Sequence, residues 1–184
     1  MMTMEKIKSM KQITLECKEL NQNPLANIGL TVGLPEETNI FEWIITLIGP
    51  KDSNYKGGMF WLKVKFPENY PESPPQILFI TPIYHLNVNS SSKSGIPLGT
   101  IYCNSLNYWK NYYTIKKVIP EIFVLLYKNN PDCGYDLERN EEFQNNRELF
   151  EEKAKFFTKK YANPMVCSEF RYKKVLEWDF SKSI

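Results

Sequence analysis

The chain has very little histidine and no paired cysteines. His85 is its only imidazole, and its four cysteines (Cys17, Cys103, Cys133, Cys167) are scattered without a Cys-x-x-Cys pair. A zinc site needs several such ligands at close spacing, so no metal is expected, and with no glycine-rich phosphate loop no direct ATP site is expected either. The expected cofactor list is empty. No apolar run approaches the roughly 20 residues that cross a bilayer, which argues against a membrane partner. A formal charge of +2 is too small to suggest nucleic acid on electrostatic grounds. No apolar h-region leads the chain, and the cysteine pattern is not that of a secreted disulfide scaffold. A reducing cytosol or nucleus is the expected compartment. What the chain does have is apolar mass: 42% hydrophobic and 14% aromatic residues over 184 positions, enough for one domain with a substantial core.

Periodicity supplies the elements. Glu5 to Leu20 reads as an amphipathic helix, with Ile7, Met10, Ile13, Cys17 and Leu20 at three- and four-residue steps, and Asn23-Pro24 ends it. Strand-like pieces follow at 28–34, 41–48, 59–66 and 77–80. In the third, Phe60, Leu62, Val64 and Phe66 oppose Trp61, Lys63 and Lys65, as in a half-buried strand. Short turns separate the pieces, which favours an antiparallel meander, because parallel pairing needs long crossovers. Thr114 is placed to cap a helix carrying Ile115, Val118, Ile119, Ile122 and Leu126, with Pro120 expected to kink or delay it. A further helix is expected over 140–161, stopped by Asn163-Pro164. The segment 165–184, with Phe170, Tyr172, Val175, Leu176, Trp178 and Phe180, is too apolar for a disordered tag and is expected to pack as one more helix. Asn89 to Gly95 reads as a mobile loop. The expected fold is α+β: an N-terminal helix, a four-stranded antiparallel meander and C-terminal helices, with a core domain over 1–162 and an extension over 163–184.

The chemistry concentrates between Phe66 and Trp109. Phe66-Pro67, Tyr70-Pro71 and Pro74-Pro75 impose a rigid extended path, since each proline locks its own φ and restrains the residue before it. Beyond this shelf lie His85-Leu86-Asn87 and then Cys103. A thiolate attacks a carbonyl readily and later leaves readily, so Cys103 is a candidate acyl carrier, and the Asn87 amide is a candidate donor to an oxyanion. The bland alternatives are a small buried cysteine, an Asn that caps its own loop, and a structural histidine. A Cys–His protease is unsupported, because neither an oxyanion motif nor a third residue accompanies the pair.

In this order, the motifs resemble those of the ubiquitin-conjugating enzyme family. Gly49-Pro50, Asp52-Ser53, Tyr55 and Gly57-Gly58 look like its Gly-Pro turn, Trp109 with Thr114-Ile115 like its Trp and Thr-Ile, and Asn130-Pro131-Asp132 like its Asn-Pro-Asp loop. The resemblance covers roughly 4–162. It implies that Cys103 takes ubiquitin or a ubiquitin-like modifier from an activating enzyme and passes it to a lysine of a substrate protein with a ubiquitin ligase. It further implies that Asn87 steadies the oxyanion and His85 holds the loop. Asp132 or Asp136 would replace the acidic residue that meets the incoming lysine, a place taken here by Cys133. Lys6, Lys8 and Lys11 resemble the basic face that meets the activating enzyme, and Glu72, Lys110 and Asn111 fall where ligases dock. A monomer is expected.

Departures leave a second reading open. The family's His-Pro-Asn is His85-Leu86-Asn87, and a serine-rich insertion lengthens the interval to the cysteine. The family reads Gly-x-Ile-Cys, whereas this chain reads Gly99-Thr100-Ile101-Tyr102-Cys103. A strict alignment therefore puts Tyr102, not Cys103, at the nucleophile position. The alternative to an active enzyme is a catalytically inactive variant that binds a modifier or a partner.

Overall fold

The computed structural model describes residues 3–25, 28–34, 39–91 and 95–163. The extension from Pro164 onward and the serines at the tip of the inserted loop lie outside the described residues. Helix α1, Met4–Gln22, starts at Thr3, whose hydroxyl accepts the amide of Lys6 at 3.2 Å. Four antiparallel strands follow in the order β1 (Thr31–Gly33), β2 (Glu42–Ile48), β3 (Met59–Lys65) and β4 (Gln76–Phe79). The expected meander is the observed one. β1 is shorter than its hydrophobic run suggests, because Gly29 turns the chain at φ +61° just after Ile28. Register places Trp43 opposite Val64 and Leu62 opposite Phe79, all with their side chains on the core face.

Then come α2 (Asn104–Asn107), α3 (Ile115–Tyr127), a 3-10 turn at Pro131–Cys133, α4 (Leu137–Asn145) and α5 (Arg147–Tyr161). Pro120 neither delays nor ends α3. Ile115, Val118, Ile119, Ile122 and Leu126 all bury along one face, and each such side chain contributes on the order of 2 kcal/mol, enough to outweigh one missing hydrogen bond. Thr114 sits at the start of this helix but makes no side-chain cap. Instead the carboxylate of Glu16, buried on α1, accepts the Ile115 amide at 2.8 Å, a negative charge placed at a helix N-terminus. Glu16 also accepts the Tyr70 hydroxyl at 2.7 Å, and Ser9 donates to the carbonyls of Glu68 and Tyr70. Two polar residues thus tie α1 to the proline shelf. The single helix expected over 140–161 is two, broken at Asn146, whose non-helical backbone (φ −143°, ψ 67°) and side-chain bond to the Leu149 amide start α5 afresh.

The shelf itself is held by aromatic packing. Trp43, Phe66, Tyr70 and Trp109 form a chain of ring contacts, with centroids 4.7 Å, 4.9 Å and 5.9 Å apart in turn. Trp109 donates from its indole to the Pro71 carbonyl at 2.7 Å. These contacts fix the segment that precedes His85 and the segment that follows Cys103 relative to one another.

Candidate active site

Two extended segments lie side by side. The Tyr102 amide donates to the Asn87 carbonyl at 2.8 Å, the Asn89 amide to the Thr100 carbonyl at 2.8 Å, and Val88 pairs with Ile101. Gly99, at φ +78°, begins the second segment; a Cβ there would lie 2.1 Å from the Phe79 carbonyl oxygen, so no other residue fits.

The first segment is fully committed. Asn87 is 0% exposed, its amide nitrogen donates to the Asn130 carbonyl at 2.7 Å and the Cys133 carbonyl at 3.0 Å, and its oxygen accepts the Asn130 amide at 2.9 Å. The side chain pins the 130–133 turn against its own strand. Both amide protons are thereby used. His85 supports it: its Nδ1 accepts the Asn87 amide at 3.0 Å and its Nε2 donates to the Leu125 carbonyl at 2.9 Å, so the ring is neutral. Burial holds its pKa down at about 4.

The second segment turns the wrong residue outward. Cys103 is in extended geometry (φ −140°, ψ 128°), so its side chain and that of Tyr102 point to opposite sides. The sulfur is the one that goes inward. Cys103 is 1% exposed within the core cluster, its thiol faces Glu121, and burial first, then that carboxylate, push its pKa up to about 12. At neutral pH the thiol is protonated. An accessible thiol sharing a cleft with a free Asn87 amide, expected from the sequence, is therefore not the geometry found. The outward place is filled by Tyr102, whose hydroxyl bonds to Cys133 and Tyr108 and whose ring meets that of Tyr135 edge-on at 6.0 Å. Those two hydrogen bonds, Cys133 first, raise the Tyr102 pKa to about 12, so the phenol is neutral.

The other expected residues scatter. Asp132 is exposed beside the turn, but Asp136 is tied down: it accepts the Arg139 amide at the start of α4 and the Ser90 hydroxyl at 2.6 Å, and pairs with the Arg139 guanidinium at 3.4 Å. A carboxylate so engaged is poorly placed to take a proton from a lysine. Lys8 and Lys11 are exposed on α1, whereas Lys6 pairs with Glu68 at 2.5 Å and lies over Phe41. Glu72 and Asn111 are brought together by a 3.2 Å hydrogen bond, with Lys110 beside Tyr112. The tyrosines beside Tyr102, at 108 and 135, and the inward neighbour Glu121 were not anticipated from the sequence. The signals available for the outward tyrosine were the alternation through Ile101-Tyr102-Cys103 and the extra residue after Gly99 that puts Tyr102 at the family's cysteine position.

The comparisons agree with the architecture. The family model described as "Ubiquitin-conjugating enzyme" matches residues 12–158. The chain belongs to the ubiquitin-conjugating enzyme family. It is 37% identical over 158 residues to the "Probable ubiquitin-conjugating enzyme E2 31" of Arabidopsis thaliana, covering 85% of this chain and 95% of that one. Its fold is similar to that in the "Crystal structure of a putative ubiquitin conjugating enzyme from Plasmodium yoelii", with a TM-score of 0.74 and 29% identity, over 85% of this chain and 96% of that one. In this chain the buried Asn87 side chain is bonded to the 130–133 turn, and the residue paired with it on the neighbouring segment is Tyr102.

Proposed function

We propose that this family member binds ubiquitin or a ubiquitin-like modifier, or a partner of that pathway, through the surface around Tyr102, Tyr108, Cys133 and Tyr135, without carrying the modifier as a thioester on Cys103. The observation that carries this reading is the inward, protonated Cys103 set against the outward Tyr102. Transthiolation needs a thiolate that a bulky donor can reach, and a sulfur 1% exposed and facing a carboxylate meets neither condition. A neutral phenol is a far weaker acyl carrier than a thiolate at this pH, so Tyr102 does not replace it. The free thiols at 17, 103 and 133 fit the cytosol or nucleus, where this pathway operates.

A second reading keeps Cys103 as the carrier, receiving the modifier from an activating enzyme and discharging it to lysine with a ligase. It is favoured by membership of a family of such enzymes and by the cysteine standing one residue from the expected place. It requires the segment after Gly99 to slip by one residue, turning the sulfur out and Tyr102 in. Incubation with activating enzyme, modifier and ATP, followed by a non-reducing gel, separates the two. The binding reading predicts no thiol-reducible adduct on the wild-type chain; an adduct that disappears in Cys103→Ser establishes the carrier.

A further inference from the structure

Every backbone carbonyl from Ile83 to Asn87 accepts a hydrogen bond. Leu86 leaves its own φ free where a proline would lock it, so the shape of this segment depends on the partners around it. The Tyr55 hydroxyl donates to the Tyr84 carbonyl at 2.8 Å, the Tyr135 amide to the Leu86 carbonyl at 2.9 Å and the Tyr102 amide to the Asn87 carbonyl at 2.8 Å. Arg139 takes the other two. Its Nη1 donates to the Ile83 carbonyl at 3.3 Å and to the His85 carbonyl at 3.5 Å. Of these donors it alone carries a charge.

The rest of the guanidinium reaches in other directions. Its carbon lies 4.2 Å from the centre of the Tyr84 ring, and its Nε pairs at 3.4 Å with Asp136, the residue that caps α4 and accepts the Ser90 hydroxyl. A planar fork can serve a ring face, two carbonyls and a carboxylate together, whereas a lysine offers a single point. The Arg139 side chain is 12% exposed, so these contacts are made largely away from water, where a lost partner is not replaced by solvent. One residue thus joins the segment ahead of Asn87, the start of α4 and the start of the inserted loop. Tyr135 is caught between two of these points, bonded through its amide to Leu86 and followed directly by Asp136.

We propose that Arg139 is a positioning residue, which holds Asn87 and Tyr135 in place and, through them, the surface around Tyr102. Its consequence for binding rests on the function proposed above; its consequence for the segment does not. In Arg139→Gln, the backbone amides of Asn87 and Tyr135 should show microsecond-to-millisecond exchange in NMR relaxation dispersion that the wild-type chain lacks. Affinity for ubiquitin should fall about 10-fold. Ile45→Val, which weakens the fold through a side chain buried on β2, is the control and should show neither effect. Should Arg139→Gln lose the fold, Arg139→Lys, which keeps the cation and gives up the fork, is read in the same way. Amides at 87 and 135 as quiet as in the wild type overturn the proposal. So does equal exchange in Ile45→Val, because the segment would then answer to overall stability and not to Arg139. A wild-type chain that does not bind ubiquitin removes the binding reading alone, since the dispersion measurement still judges Arg139.

Discussion

The two paired segments, His85–Asn89 and Gly99–Cys103, differ in what their side chains do. On the His85–Asn87 side every polar group has a partner: the histidine holds the Asn87 backbone, and the Asn87 side chain holds the 130–133 turn by three hydrogen bonds. On the Tyr102–Cys103 side the backbone is held equally well, yet the side-chain chemistry is reversed, because one residue more than the family pattern after Gly99 exchanges the two faces of an extended strand. A scaffold can therefore stay intact while its reactive atom moves to the wrong side. Ordinary tolerance of substitution does not describe this, since the period of a strand is two and a slip of one is the most disruptive possible.

The sharpest way to break the contrast is Tyr102→Cys. It places a thiol on the outward side of the segment, away from Glu121, and the account predicts a thiol-reducible adduct in the non-reducing assay where the wild-type chain gives none. Discharge to lysine should remain slow, as the Asn87 amide protons are already taken. Next in size, Asn87→Ala should destabilise the fold by about 3 kcal/mol in a urea titration, because it leaves the Asn130 amide and two carbonyls without their partner. Acid should expose the same side. The His85 pKa is about 4 when folded and near 6.5 when unfolded, so the unfolded chain binds the extra proton first. Its contribution to stability is intact above about pH 6.5 and is lost as pH falls toward 4, at most about 3 kcal/mol in all, readable from urea midpoints across that window. On the other side, Cys103→Ser should cost only about 1 kcal/mol and leave modifier binding unchanged, as expected of a small core residue. The smallest expected effect is that of Glu121→Gln, which removes the negative charge facing the thiol and should lower the Cys103 pKa, seen as a downward shift in the pH profile of its alkylation in mild denaturant.

Much of the fold was legible because it rests on repeated local signals. The alternation of Phe60, Leu62 and Val64 and the apolar stripe of Ile115, Val118, Ile119 and Ile122 each repeat over several residues, so one deviation does not obscure them. What escaped was settled by single contacts between distant parts of the chain. Ser9 and Glu16 are polar yet buried because their partners are the proline shelf and the start of α3; no window of sequence around them contains those partners. The break at Asn146 was locally encoded, in an Asn able to cap the helix that follows, but it competes with a continuous helical pattern. In the site, the motif order brought His85–Asn87 and Cys103 to neighbouring segments, whereas the direction of Cys103 depended on parity and the engagement of Asp136 on Ser90 and Arg139.

Site-resolved alkylation of the folded chain tests the central claim most directly. Under native conditions, with each cysteine followed by mass spectrometry, Cys133 should label readily and Cys103 about 100-fold or more slowly than in the unfolded chain, since its sulfur is sealed and protonated. Labelling of Cys103 in the native protein as fast as Cys133 would contradict the account and turn the sulfur outward.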